Sequence, residues 1–233
     1  MINKSTMTNK YFLTGTDTEV GKTVVSCALL QAANKKGYQT AGYKPVASGS
    51  EITAEGIRNG DALALQRNSS VSLTYQEVNP LVFIEPTSPH IVSAELNQPI
   101  DFSVLSRGLD ALAAKSDWVL VEGAGGWYTP LSENTTFADW VIQEDLPVIL
   151  TVGIKLGCIN HAVLTAKAIQ HAGLKLVGWV ANEIEPAGKR QAAYLDTLER
   201  MIPAPLLGII PHLSKSYDNN HIGEYIDINS LVN

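Results

Sequence analysis

The residues best placed to do chemistry are Gly15-Thr16-Asp17-Thr18-Glu19-Val20-Gly21-Lys22-Thr23. A glycine-rich turn that opens a helix aims several backbone N–H groups at one point, and the helix dipole adds positive potential there. A lysine in that turn reaches β- and γ-phosphates, and a following threonine hydroxyl ligates Mg2+. The segment therefore reads as a phosphate loop for a nucleoside triphosphate. It has five residues between Gly15 and Gly21, one more than the common spacing.

Such a loop needs acids to hold its metal. Glu122 ends an apolar run just before Gly123-Ala124-Gly125-Gly126, at the carboxyl edge where α/β sheets bind ligands. Asp61, in Asn59-Gly60-Asp61-Ala62, is either a second metal acid or the N-cap of a short helix. Lys44 precedes Pro45 at a strand end and could stabilise charge on a transferring phosphoryl group; alternatively it is an exposed strand-end lysine. Ser48-Gly49 suggests a tight polar loop for a substrate. Lys155 could add a further cation, and Asn160 is expected to cap the next helix. Cys158 reads as a packing residue, since no histidine pairs with it. His161 and His171 stand ten residues apart and share no metal-binding face. Asn182, after another apolar run, could pair with adenine N6 and N7 or could simply be turn chemistry.

The elements that must position these residues alternate along the chain. Strands are expected at Tyr11 to Thr14, Gln39 to Tyr43, Asp117 to Glu122, Pro147 to Val152, Lys175 to Ala181 and Leu206 to Ile210. Helices are expected at Gly21 to Lys36, after Asp101, and at Thr136 to Glu144, Asn160 to His171 and Gly188 to Met201. That alternation predicts an α/β fold with a mostly parallel central sheet and helices on both faces. Residues 46–99, rich in Ser, Asn, Glu and Pro, are expected to form loops and short helices over the ligand side. A single domain over residues 1–233 is expected, with a flexible N-terminus over 1–9 and a peripheral segment over 214–233.

Composition narrows the function. The chain has 233 residues, 45% hydrophobic and 17% charged, with a net charge of -6. That balance argues against a surface that holds nucleic acid or an anionic membrane throughout. Cys27 and Cys158 form no metal or disulfide pattern. No apolar leader or long apolar run is present, so a cytoplasmic protein is expected.

Five blocks in order then carry a resemblance: the phosphate loop, Ala41-Gly42-Tyr43-Lys44-Pro45-Val46-Ala47-Ser48-Gly49, Val121-Glu122-Gly123-Ala124-Gly125-Gly126-Trp127, Lys155-Leu156-Gly157-Cys158-Ile159-Asn160-His161 and Gly178-Trp179-Val180-Ala181-Asn182. Together they resemble the dethiobiotin synthetase family of P-loop NTPases. The resemblance implies that 7,8-diaminononanoate and CO2 give a carbamate, that the carbamate takes the γ-phosphoryl of ATP to form a carbamic–phosphoric anhydride, and that the second amine closes the ureido ring. It implies Lys22, Lys44 and Thr18 as catalytic residues and Thr23, Asp61 and Glu122 as Mg2+ ligands. ATP contacts are implied for Glu19, Val20, Gly21, Lys22, Thr23, Val24, Asp61, Glu122, Gly123, Ala124, Gly125, Asn182, Glu183, Pro211, His212, Leu213 and Asp218. Substrate contacts are implied for Thr18, Lys44, Ser48, Lys155, Gly157, Cys158, Asn160 and Tyr194, near a homodimer interface. His212 stands where the family often has an aromatic residue and Asp218 where glutamate is common.

Two other readings share the phosphate loop. One is a switch ATPase of the partitioning and cell-division type, which carries Lys-Gly-Gly ahead of the x-Gly-Lys-Thr; here those positions are Asp17, Thr18 and Glu19. The other is a kinase for a small metabolite, because a phosphate loop does not name the acceptor.

Overall fold

The computed structural model describes residues 8–213 and 221–232. Strand β1 (Asn9–Gly15) leads through the phosphate loop into helix α1 (Lys22–Lys35), and β2 (Thr40–Tyr43) follows. Residues 46–99 hold β3 (Val46–Ala47), β4 (Glu51–Thr53), β5 (Gly56–Arg58), α2 (Gly60–Asn68), α3 (Tyr75–Val78), β6 (Leu81–Val82) and α4 (Pro89–Glu95). After them come α5 (Phe102–Ala113), β7 (Trp118–Glu122), α6 (Phe137–Gln143), β8 (Val148–Gly153), α7 (Cys158–His171), β9 (Leu176–Asn182), α8 (Gln191–Met201) and β10 (Leu206–Ile210).

Six of the strands form one sheet in the order β10-β9-β8-β1-β7-β2, with every neighbouring pair parallel. The apolar run Trp118-Val119-Leu120-Val121 is buried throughout because β7 lies between two strands and beneath helices on each side. Successive residues of a strand point to opposite faces, and along β8 and β9 the core divides in two. Ile149 and Val180 join the larger cluster with α1 and α5, while Leu150, Trp179 and Ala181 join a second one with Cys158 and Ala162 of α7 and Leu198 of α8.

The sequence-based boundaries hold to within a few residues, with three differences. Asn9, expected in a flexible N-terminus, pairs with Trp118 as the first residue of β1. Asn160 does not cap α7: the cap is Gly157 at φ 92°, and Asn160 sits inside the first turn. A left-handed residue at that corner favours glycine, and the helix begins three residues earlier than a side-chain cap at Asn160 would allow. The segment expected to be peripheral is, over residues 221–232, part of the core. Ile222 and Ile228 are fully buried, Ile226 bridges to Gly208, and the Tyr11 hydroxyl donates to the Leu231 carbonyl.

Candidate active site

Strand order builds the site. The chain leaves β1, crosses to β2 at the sheet edge, returns to β7 between them, and then continues on the other side of β1. Ligands of open α/β sheets bind at the carboxyl ends of strands around such a reversal. Here those ends deliver the phosphate loop after β1, Glu122 at the end of β7 and Lys44 just after β2, all from adjacent strands.

The loop's extra residue is accommodated by two left-handed positions, Glu19 at φ 59° and Gly21 at φ 80°. Between them Val20 is fully buried, and its side chain pins the loop against Gly15 and Gly153. Asn182, ending β9, donates from Nδ2 to the Val20 carbonyl at 2.9 Å. A Cβ on residue 21 would stand 2.1 Å from that same Nδ2, so glycine is required there by conformation and by space. At the loop's tip Asp17 accepts from the Thr18 backbone N–H at 2.8 Å and from Lys155 Nζ at 3.3 Å. The Thr18 hydrogen bond, followed by Lys155, holds the Asp17 carboxyl below its usual range.

Glu122 has no exposed surface, an expensive place for a charge unless donors surround it. Three do. Oε1 accepts from Thr23 Oγ1 at 2.9 Å and from Lys44 Nζ at 2.7 Å, and Oε2 accepts from Ser26 Oγ at 2.6 Å. Lys44 Nζ also donates to the Gly123 carbonyl at 3.2 Å and to Asp61 Oδ2 at 3.3 Å, so all three of its protons are used. Burial alone would push the Lys44 ammonium down; Glu122 and Asp61 outweigh it and hold the ammonium above its ordinary value. Burial likewise works to raise Asp61, and Lys44 overcomes it and holds that carboxyl down. Lys22 lacks so close a counter-ion. Its Nζ donates to the Asp17 carbonyl at 3.2 Å, and burial, followed by repulsion from Lys44, pulls it down to about 8.

The backbone of Lys44 is held as firmly as its side chain. Its N–H donates to the Val78 carbonyl at 2.8 Å, and its carbonyl accepts from Asn79 Nδ2 at 2.7 Å. Asn79 Oδ1 accepts from the Tyr75 hydroxyl at 2.8 Å, and that hydroxyl accepts from the Asn59 N–H at 2.7 Å. Asn59 is the residue that caps α2, accepting from the Ala62 N–H. The capping alternative for Asp61 is thereby removed, and its carboxylate faces Lys44.

A cavity of about 340 Å3 opens over this cluster. Thr18, Glu19, Gly21, Lys22, Thr23, Val24, Lys44, Ser48, Asp61, Glu122, Ala124 and Gly125 all line it. Val20 and Gly123 lie buried beneath it. Lys155 and Tyr194 meet instead in a separate cavity of about 140 Å3 that includes Arg190. Gly157 and Asn160 are exposed at the start of α7, and Cys158 is buried in the second core. Glu183 is bonded by Gln191, and its carbonyl stands 3.3 Å from His212 Nδ1, between the half-buried Pro211 and Leu213. Asp218 lies outside the described residues. Sequence reading missed Ser26, Asn59, Tyr75 and Asn79. The one local signal was a serine three residues after Thr23 on an otherwise apolar helix face.

A parallel sheet with a phosphate loop after its central strand, a buried acid on the next strand and a lysine beyond it defines a P-loop NTPase. A family profile described as an AAA domain matches residues 9–220. The ATP-dependent dethiobiotin synthetase BioD 1 of Escherichia coli (strain K12) is 68% identical over 222 residues, which cover 95% of this chain and 99% of that protein. The BioD proteins of Yersinia pestis bv. Antiqua (strain Angola) and Serratia marcescens are 64% and 63% identical, covering 97% of this chain and 96% and 100% of theirs. The chain belongs to the dethiobiotin synthetase family. Among solved structures it is similar to the MinC:MinD cell division protein complex of Aquifex aeolicus, at a TM-score of 0.57 and 13% identity over 94% of this chain and 87% of that one. A MinD of Pyrococcus horikoshii OT3 complexed with Mg-ADP scores 0.55 at 16% identity, covering 89% and 82%. Those likenesses concern the fold alone.

Proposed function

We infer that this chain makes dethiobiotin: it carboxylates 7,8-diaminononanoate with CO2 at the expense of ATP and closes the ureido ring. The observation that carries the reading is the 68% identity to the Escherichia coli synthetase over nearly the whole of both chains. In the first step one amine of the substrate adds to CO2 and loses a proton, giving a carbamate. A carbamate oxygen then bonds to the γ-phosphorus as the bond to the bridging oxygen breaks and ADP leaves. Finally the second amine attacks the carbamic carbon, phosphate departs with the C–O electron pair, and the amine gives up a proton.

The residues meet those demands. The loop's N–H groups and Lys22 take the β- and γ-phosphates, and Lys44 offsets charge on the phosphoryl group as it moves. Thr18 and Ser48, at the rim of the cavity, hold the carbamate end of the substrate. Thr23, Asp61 and Glu122 suit a magnesium ion: they offer a hydroxyl and two carboxylates, all hard oxygen donors. Thr23 Oγ1 donates to Glu122 and so keeps its lone pairs free. Among the described residues no group of three or more His, Cys, Asp or Glu could hold a metal, so phosphate oxygens and water would complete the coordination. When bound, magnesium draws negative charge from the phosphates. The adenine lies toward Asn182, Glu183 and residues 211–213. Lys155, Arg190 and Tyr194 supply positive charge and a hydroxyl for the substrate carboxylate.

The chain acts as a homodimer in the cytoplasm and binds neither nucleic acid nor membrane. Leu156, 89% exposed just before α7, and Leu164, 60% exposed on it, are the apolar side chains there that a partner subunit would cover. No helix among the described residues is long and apolar enough to cross a membrane, and both cysteines are buried as thiols. Asp17 supports synthesis over switching: an acid paired with Lys155 occupies the position of the switch lysine. Purified protein is incubated with MgATP and bicarbonate, with and without 7,8-diaminononanoate, and dethiobiotin is sought by mass. Product that depends on the diamine is expected; its absence would overturn the reading.

A further inference from the structure

Ser26 is fully buried on α1, one turn beyond Thr23 and on the same face. A serine inside a helix ordinarily turns its hydroxyl back to the carbonyl four residues earlier. Here it reaches across to the sheet and donates to Glu122 Oε2 at 2.6 Å. The division of labour on that carboxylate is uneven. Oε1 takes both Thr23 and Lys44, the two groups that face the phosphate cavity, whereas Oε2 has Ser26.

We propose that Ser26 is the positioning residue of the site: by pinning Oε2 it fixes the rotation of the Glu122 carboxylate and commits Oε1 to the cavity. A carboxylate at the end of a strand can turn about its last side-chain bond unless something holds it. Ser26 and Glu122 both have no exposed surface, so bulk water is a poor substitute for the lost donor on Oε2. Without Ser26 the bare Oε2 competes for Thr23 and Lys44, and the carboxylate swings off the geometry that a metal-bound triphosphate needs. Partners that orient a metal-site carboxylate from behind act in this way. The inference rests on the proposed assignment of Glu122 to magnesium and not on what the phosphoryl group is transferred to.

The test is nucleotide binding, with no turnover involved. The affinity for ADP is measured by calorimetry in excess magnesium and in EDTA, and the ratio of the two gives the magnesium-linked gain. Ser26→Ala is expected to leave the EDTA affinity within about twofold and to cut the gain by about 10-fold or more, on the scale of losing an orienting partner. Ser26→Cys fills the same space with a much weaker donor and is expected to lose most of the gain as well, which separates the hydrogen bond from packing and serves if the alanine variant does not fold. A wild-type gain retained by Ser26→Ala, or by Ser26→Cys, overturns the proposal, as does a wild-type protein with no magnesium-linked gain. If the gain behaves as expected while no dethiobiotin forms, the ring-closure reading falls and the role of Ser26 stands.

Discussion

Lys44 sits where its charge is most strongly contested: it pairs with Glu122 and Asp61, and all three line the same cavity. Lys22, Lys44, Asp61 and Glu122 sum to no net charge, so the resting cluster is balanced before a nucleotide arrives. In the proposed reaction a triphosphate would compete with the two carboxylates for Lys44, with the loop amides and Lys22 bearing the remainder. Lys44→Gln keeps a donor for Glu122 and removes the positive charge. It is expected to leave ATP affinity within a few-fold and to lower turnover by about 100-fold or more, the scale of losing one preorganised charge stabiliser. Steady-state rates beside calorimetric ATP binding check this, and unchanged turnover would remove Lys44 from phosphoryl transfer. Lys44, Thr23 and Glu122 were legible in the sequence because each stands at a punctuated place, a strand end or a helix start. Ser26 was not, since its partner lies 96 residues away and serine on a helix has no spacing rule. Asp61 was half legible: pattern allowed a cap or a ligand, and Asn59 capping α2 removes the first.

Among the elements, α3 does more than its four residues suggest. It carries the Val78 carbonyl that receives Lys44 N–H and the Tyr75 hydroxyl that joins Asn59 to Asn79. So short a helix is unstable alone. It is held by a capping box between Thr74 and Glu77, and the Lys115 ammonium, at the end of α5, bonds to Glu77 Oε1. Those bonds, Lys115 first and the Thr74 N–H second, bring the Glu77 carboxyl down to about 2 from 4.5. An acid held below its unfolded value adds stability that is complete above the unfolded value and is lost as pH falls toward the folded one. Glu77→Gln keeps the box and removes the charge. Its melting temperature is expected to lie below that of wild type near pH 6 and to converge on it as pH falls from about 4.5 toward 2. A gap that stays constant over that window would show that the charge contributes nothing. Short helices were expected in residues 46–99 but this one was not placed: the stretch shows neither a 3.6-residue nor a two-residue repeat, and the Thr74 to Glu77 capping-box spacing was its one local signal. The regular α/β alternation was legible because buried parallel strands and amphipathic helices each write a period into the sequence.

Over the whole molecule, the net charge of -6 gives no hint of an anion site. Strand order makes one, setting Asn182, the phosphate loop, Glu122 and Lys44 along one edge of the sheet. The same scale explains why residues 221–232 were misread from sequence. They hold little regular structure, only two single 3-10 turns, and their apolar residues follow no helix or strand period, so nothing in the pattern says that they are inside. In the fold they close the core beside α1 and β10. Gly223 lies so near Gln31 that a Cβ would stand 2.7 Å from that side chain, and Ile226 bridges to Gly208. Ile222 and Ile228 are fully buried, and Ile226 and Leu231 are each 9% exposed. Burying an aliphatic side chain contributes roughly 1.5–3 kcal/mol, while a whole domain is stable by about 5–15 kcal/mol. Removing four such side chains therefore takes away an amount comparable with the total. A chain ending after Asn220 is expected to show no cooperative thermal transition. Ile228→Ala, a single buried truncation costing about 2–5 kcal/mol, is expected to keep the transition and lower its midpoint by about 4–20 °C, at roughly 2–4 °C per kcal/mol for a chain of this size. Scanning calorimetry of the two variants beside the full chain decides the matter. If the shortened chain melts with the full-length midpoint and enthalpy, the segment is peripheral in energy despite its burial, and the core must be complete at Ile210.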